Sequence, residues 1–221
     1  MTRIEKDSLG TRVIPVDAYY GIHTQRASEN FKISHQKMHP LLIKNMVKIK
    51  KAAAISHQQS KELDDPKATA IIQACQDIIS GKFADQFIID AIQGGAGTSA
   101  NMNVNEVIAN RSLEILGEPL GNYAIINPND HVNQSQSTND VFPTAGKMAI
   151  LESLVPLENE LHKLAKALEQ KSVAFQDVIK VGRTQLQDAL PLSLGDTFGA
   201  YQQVIAREYH RIISVRSELT T

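Results

Sequence analysis

Two long stretches with helical periodicity lie in the C-terminal part of this 221-residue chain. One begins at Pro143 and continues to about Val173, and the other covers residues 195–219. The apolar residues on one broad side of the second stretch are Phe198, Tyr201, Val204, Ile205, Ile212, Ile213 and Leu219. Because long helices bury such a face against a neighbouring helix, the pattern predicts a hairpin of a long-helix bundle. Pro156 lies inside the first stretch, so we expect a kink or a break there.

Three shorter helical patterns precede these stretches, over residues 41–61, 65–81 and 101–116. Asp65 is placed to cap the second pattern, with Pro66 at its first helical position and Gly81 at its end. Aspartate, proline and glycine are favoured at these three positions of a helix. The N-terminal half is therefore also predicted to be helical.

Strand character is confined to residues 11–16 and 87–89. The predicted fold class is consequently mainly α. We expect an N-terminal, mostly helical domain over residues 1–138. Part of a long-helix bundle, over residues 139–221, follows it.

Composition excludes several functional classes. A formal charge of -1 without a long basic run argues against a nucleic-acid partner. No apolar stretch approaches the roughly 20 residues that span a bilayer, and the N-terminus is too charged for a signal peptide. The single cysteine, Cys75, cannot form an internal disulfide and is expected to be a buried, unreactive thiol. These features predict a cytoplasmic protein.

The histidines do not predict a metal site. His35 and His39 are four residues apart but have no evident third ligand. His57, His162 and His210 lie in helical patterns among polar neighbours and are expected to be solvated.

A glycine-rich segment, residues 93–103, interrupts the amphipathic pattern. Glycines allow a ligand to approach the backbone, and the following helix start offers unpaired N–H groups that suit a carboxylate or a phosphate. The same residues are also compatible with a flexible turn and a capped helix. Residues 95–100 formally match the dinucleotide-binding pattern G-x-G-x-x-A, with Glu114 downstream. That motif requires a parallel sheet, which the helical flanks do not predict.

Two further polar segments cover residues 127–140 and 182–189. From composition alone both are compatible with solvated loops. His131 in the first is expected to stabilise its loop through a hydrogen bond. Arg183 and Asp188 in the second could form a simple surface pair.

Together the three segments resemble the fumarase/aspartase superfamily. The resemblance rests on Gly-Thr-Ser at 97–99 with Asn-Met-Asn-Val-Asn-Glu-Val at 101–107, Gln-Ser-Thr-Asn-Asp at 136–140, and Gly-Arg-Thr at 182–184 with Leu-Gln-Asp at 186–188. It begins near Arg3 and covers essentially the whole chain. Four features favour the aspartase branch over class II fumarases, namely Tyr-Tyr-Gly-Ile-His-Thr at 19–24, the loop at 94–99, Asn-Pro at 127–128, and Gln185. A class II fumarate hydratase and a non-catalytic, oligomerising remnant of the family remain as alternatives.

The resemblance implies an ammonia-lyase that converts L-aspartate to fumarate and ammonia by Cβ-proton abstraction and C–N elimination. It implies no cofactor, since neutral donors around one carboxylate can stabilise the dianion that forms. By resemblance, the substrate-binding residues are Thr98, Ser137, Thr138, Asn139, Thr184 and Gln185. The first three would hold the β-carboxylate, Asn139 and Gln185 would lie near the amine, and Thr184 near the α-carboxylate.

The resemblance also implies that no catalytic base lies within these 221 residues. In the superfamily a serine base lies in a flexible loop in the second half of a longer chain. Family active sites combine loops from three subunits of a tetramer, so a homo-oligomer is expected. The only other partner implied is a small dicarboxylate, aspartate or fumarate.

Overall fold

The computed structural model describes residues 1–220. The α-helices are α1 (Ile22–Asn30), α2 (Pro40–Gln59), α3 (Asp65–Ile79), α4 (Thr98–Ile115), α5 (Thr138–Ala174) and α6 (Leu194–Leu219). The strands are β1 (Thr2–Asp7), β2 (Gly10–Pro15), β3 (Ile179–Thr184) and β4 (Gln187–Ser193). A short 3-10 turn covers Ala84–Gln86, and a π-helical turn covers Pro128–Val132. The prediction of a mainly α fold is confirmed.

The chain forms two compact units, which divide after Ala149 within α5. The first contains β1, β2 and α1 to α4 together with the start of α5. The second contains the rest of α5, the β3–β4 hairpin and α6. The domain boundary predicted after residue 138 stays a prediction.

The core of the first unit forms where α2, α3 and α4 pack together. Its most buried side chains, each at most 1% exposed, include Met46, Val47, Ala68, Ile71, Ala74, Cys75, Val104, Val107, Ile108 and Leu113. Burial raises the pKa of the Cys75 thiol to about 12, so the thiol stays neutral. The prediction that Cys75 is buried is confirmed, and a neutral thiol agrees with the expected lack of reactivity.

The cap of α3 differs from the predicted one by one residue. Asp64, not Asp65, is the N-cap, and its carboxylate accepts the backbone N–H of Lys67 at 3.0 Å. Asp65 lies in the first turn, where a negative charge also suits the helix dipole. The predicted end is confirmed, because Gly81 follows the C-cap with a φ of +100°.

The prediction that Pro156 splits the long helix is wrong, because α5 continues through it without a break, whereas the alternative of a kink at Pro156 stays a prediction. A proline removes one hydrogen bond, and the remaining bonds of a 37-residue helix keep the backbone helical. Pro143 does not open this helix either. The helix begins five residues earlier at Thr138, where the hydroxyl of Ser137 accepts the N–H of Asn139 at 3.1 Å.

Both sheets are two-stranded and antiparallel. β1 pairs with β2, so the strand predicted over residues 11–16 is confirmed, whereas residues 87–89 have no strand structure. The β3–β4 hairpin was not predicted, because its turn is made by two non-glycine residues with positive φ, Gln185 at +50° and Leu186 at +63°. The described residues contain no parallel sheet, which contradicts the dinucleotide-binding alternative.

The three histidines that lie in helical patterns differ in their exposure to solvent. His57 is buried and lies 3.8 Å from the carboxylate of Glu62, so the prediction that it is solvated is wrong, whereas His162 and His210 are exposed. His57 lies on the buried face of α2, three residues after Ala54 and seven after Lys50. Over residues 1–220, no helix combines the length and the apolar character needed to cross a membrane.

A candidate carboxylate-binding site

The glycine-rich loop adopts a backbone that requires glycine at its last position. Gly97 is the N-cap of α4, has a φ of +77°, and donates its N–H to the carbonyl of Gly94 at 2.9 Å. A Cβ atom at this position would lie 2.5 Å from the ring of Phe142 on α5. The loop and the start of α5 are therefore in close contact, and a side chain at position 97 would separate them.

The start of α4 is partly capped by the loop itself. The side-chain oxygen of Gln93 accepts the N–H of Ala100 at 2.7 Å. Thr98 is the first residue of the helix and is exposed. The N–H groups of Thr98 and Ser99 belong to the first turn, where no preceding helical carbonyl is available to accept them. This end of α4 can therefore present a hydroxyl and backbone donors to a carboxylate.

A second helix start lies beside the first. Thr138 begins α5, and its hydroxyl oxygen accepts a hydrogen bond from the side-chain amide of Asn101 on α4 at 3.0 Å. Ser137 and Asn139 flank Thr138 and are exposed, whereas Thr138 is half-buried. Since Asn101 lies within one turn of Thr98, four of the six predicted site residues belong to two adjoining helix starts. Such an arrangement of hydroxyl, amide and N–H donors can bind a carboxylate without a cation.

The other two predicted residues belong to the second unit. Thr184 ends β3 and Gln185 follows it in the exposed turn of the hairpin. Arg183 and Asp188 of the same hairpin form an exposed ion pair at 3.2 Å, as the simple surface interpretation predicts. The participation of Thr184 and Gln185 in a shared site stays a prediction.

The loop between α4 and α5 is ordered by its own polar side chains. The ring nitrogen Nδ1 of His131 accepts the backbone N–H of Asn127 at 2.8 Å, which confirms the predicted hydrogen bond. Asn127 in turn accepts the N–H groups of Asn129 and Asp130. Burial lowers the pKa of His131, which favours the neutral ring that this acceptor role requires.

A buried polar cluster, which the sequence did not predict, includes Asn133 of this loop. Lys50 on α2 is fully buried, and its amine donates to the side-chain oxygen of Asn133 at 2.5 Å. The same oxygen accepts the side-chain amides of Asn101 at 3.1 Å and Asn105 at 3.3 Å. Burial lowers the pKa of Lys50 from 10.5 to about 7. The sequence carried a signal, because position 50 continues the apolar face formed by Met46, Val47 and Ala54.

Within residues 1–220, no group of three or more histidine, cysteine, aspartate or glutamate side chains could hold a metal ion.

Comparison with known proteins places the chain in a family. A family model described as "Lyase" matches residues 10–221. The chain belongs to this lyase family. An aspartate ammonia-lyase of a Bacillus species is 52% identical over 217 residues, which are 98% of this chain and 46% of that relative. The chain thus spans about half the length of the curated relatives it matches.

Solved structures of lyases share the fold. A structure titled fumarate lyase:delta crystallin from Brucella melitensis superimposes with a TM-score of 0.94 at 51% identity, over 99% of this chain and 51% of the other. A class II fumarase from Schistosoma mansoni gives 0.87 at 33% identity, over 99% of this chain and 46% of the other. The lyase family and its fold are therefore established for essentially all of the described residues.

Proposed function

We propose that this chain carries the carboxylate-binding part of an aspartate ammonia-lyase, which eliminates ammonia from L-aspartate to give fumarate. The observation that carries the proposal is the 52% identity to a relative named aspartate ammonia-lyase, over an alignment that covers 98% of the chain. The two adjoining helix starts at Thr98 and Thr138 support it, because they offer neutral donors of the kind a carboxylate needs.

The reaction explains why neutral donors suit this place. A base removes a proton from Cβ, and the electron pair is held as a dianionic aci-carboxylate before it forms the double bond and the C–N bond breaks. Hydroxyl and amide groups aimed at that carboxylate stabilise the developing charge. Thr98, Ser137 and Thr138 would supply them.

The remaining contacts follow the predicted assignment. Asn139 and Gln185 would orient the leaving amine, and Thr184 would bind the α-carboxylate. The catalytic base would come from outside these residues, so we expect the isolated chain to deaminate aspartate too slowly to measure. Loss of a general base alone typically reduces the rate by about 10²–10⁴.

We also propose a homo-oligomer, a tetramer by analogy with the family, working in the cytoplasm. Support for self-association comes from the exposed apolar side chains of α6, among them Tyr201 at 57% and Val204 at 45% exposed. The dicarboxylate substrate is the only small-molecule partner we propose.

A reconstituted enzyme would test the activity. The chain would be fused to, or co-expressed with, the C-terminal half of the 52%-identical Bacillus relative, and fumarate formation from aspartate followed at 240 nm. Thr138→Val should reduce kcat/KM by about 10²–10³, the typical effect of losing an oxyanion donor. Thr144→Val, on an exposed part of α5, is the matched control and should retain activity. Equal activity of both variants would contradict the role of Thr138.

Fumarate hydratase is the second candidate, favoured by the fold match to the class II fumarase. The same reconstituted enzyme would be given malate and aspartate in parallel. Faster dehydration of malate than deamination of aspartate would replace the first proposal with the second. Asn139→Ala should reduce the rate with aspartate, because it removes a group that orients the amine.

A further inference from the structure

Lys50 occupies an environment that ordinarily excludes a lysine. Its side chain is fully buried, and no carboxylate pairs with it among the residues that the structure describes. Within residues 1–220, its hydrogen-bond partner is the neutral side chain of Asn133. A buried ammonium without a counter-ion is costly, so lysine at this position calls for a reason other than fold stability.

The hydrogen bonds of this cluster lead to the candidate carboxylate site. The amine of Lys50 and the amide of Asn101 donate to the same oxygen of Asn133, at 2.5 and 3.1 Å. Asn101 also donates to the hydroxyl oxygen of Thr138 at 3.0 Å. Three hydrogen bonds thus connect the amine of Lys50 to a hydroxyl at the start of α5.

The cluster is also incompletely satisfied. Three donors converge on the single oxygen of Asn133, which has two lone pairs. The side-chain oxygens of Asn101 and Asn105 are buried and have no partner among the described residues. The cluster therefore has more donors than the oxygen of Asn133 can satisfy and two buried acceptor oxygens without a partner, so its hydrogen bonds can rearrange when the charge nearby changes.

The surrounding groups do not neutralise a positive charge on Lys50. Cys75 on α3 is the titratable group whose field acts on the amine, and burial keeps its thiol neutral. The groups from α4 and the following loop, Asn101, Asn105 and Asn133, are neutral amides. The neighbouring Lys51 on α2 binds the exposed side chain of Gln76 instead. A bound carboxylate would therefore supply the missing negative charge.

We propose that Lys50 is a positioning residue for the Thr138 hydroxyl, acting through Asn133 and Asn101, and that its amine supplies the buried positive charge opposite a carboxylate bound beside Thr138. The second half of this inference rests on the proposed function, and the first half does not. Because proton binding and ligand binding are linked, a bound dicarboxylate should strengthen proton binding by Lys50, and a protonated Lys50 should strengthen dicarboxylate binding equally.

The first experiment follows pH titrations of the 221-residue chain by NMR, with labelled lysine side chains and assigned signals of Asn133 and Thr138. We expect Lys50 to titrate near pH 7. The signals of Asn133 and Thr138 should change with pH at the same midpoint. Lys50→Met should abolish this step, whereas Lys51→Met, the matched control, should retain it. Signals of Thr138 that do not follow Lys50 would overturn the positioning role.

Two further variants test the route. In Asn101→Ala, Asn133 should still follow Lys50 but Thr138 should not. In Asn133→Asp, a carboxylate next to the amine should raise the midpoint of Lys50, and Thr138 should follow it to the new value. A response of Thr138 that survives Asn101→Ala would contradict the proposed route.

The second experiment adds fumarate as the probe. A bound dianion should raise the midpoint of Lys50 by about one pH unit, which by linkage means about tenfold tighter fumarate binding at pH 6 than at pH 9. Fumarate that shifts the signals of Thr98 and Ser137 without moving this midpoint would overturn the charge-balancing role. Fumarate that shifts none of these signals would count against the proposed function, while the first experiment still decides the positioning role.

Discussion

The carboxylate of Glu106 on α4 accepts the backbone N–H of Gly21 at 2.8 Å, across 85 residues of sequence. It also accepts the N–H groups of His23 at 2.9 Å and Thr24 at 3.1 Å in the first turn of α1. A residue of the central helix thus caps the N-terminus of another helix from a fully buried position. This contact fixes α1 against the helix that carries Thr98 and Asn101.

Glu106→Gln should destabilise the first unit, because one acceptor oxygen becomes an NH2 group that faces buried N–H donors. The expected loss is about 2–4 kcal/mol in the free energy of unfolding, measured by urea denaturation. Glu160→Gln, whose side chain is 69% exposed and paired with Lys163, is the control and should change stability by less than about 0.5 kcal/mol. A loss of equal size in both variants would contradict the capping role.

Lys50→Met should stabilise the chain, because it removes a buried amine with no counter-ion. The folded pKa of about 7 lies below the unfolded value of 10.5, so the unfolded state binds more protons between these pH values. The advantage of methionine should therefore be small near pH 10.5, increase as the pH falls, and level off below about pH 7 at about 3–5 kcal/mol. Thermal unfolding across this range measures it, and Lys51→Met should show no such trend.

Asp90 should make the loop after α1 sensitive to acid. Its carboxylate accepts the hydroxyl and N–H of Ser34, and the N–H groups of Ile33, His35 and Ile92. The hydrogen bond from the Ser34 hydroxyl is the main cause that lowers the pKa of Asp90 well below its usual value. The stabilisation is therefore complete above about pH 4 and is lost as the pH falls through the folded pKa.

Asp90→Asn tests this expectation by melting temperature against pH. The variant should melt below the parent at neutral pH, and the difference should shrink in acid. Asp188→Asn, in which the replaced side chain is 74% exposed, is the control. A deficit that stays constant down to pH 2 would show that Asp90 does not act through its charge.

Gly97→Ala should disturb the contact between the glycine-rich loop and α5. The left-handed backbone costs about 1–2 kcal/mol for a residue with a Cβ, and the clash with Phe142 adds to that. Gly95→Ala is the matched control in the same loop, since a Cβ there meets no atom within 4 Å. In a double-mutant cycle, Phe142→Ala should relieve part of the cost of Gly97→Ala, and strict additivity would contradict the clash.

Local patterns in the sequence predicted the longer helices and their approximate ends, whereas the short helix α1 was not predicted. Apolar periodicity decides helix formation over several turns, and proline and glycine act on their immediate neighbours, so α2, α3 and α6 were predicted within a few residues. The same local character explains the errors. Pro156 predicts a break when only its neighbours are considered, yet α5 continues through it. The hairpin of β3 and β4 escaped prediction because its turn contains no glycine.

At the candidate site too, the sequence identified some residues and only the tertiary structure revealed how they are arranged. The family resemblance identified Thr98, Ser137, Thr138 and Asn139 as site residues, but local patterns placed residues 137–139 in a polar loop before a helix predicted to open at Pro143. The structure shows instead that α5 already begins at Thr138. Only the tertiary structure brought Thr98 and Thr138 together through Asn101, and only burial revealed Lys50. The pKa of an amine depends on which atoms surround it, and those atoms come from helices far apart in the sequence.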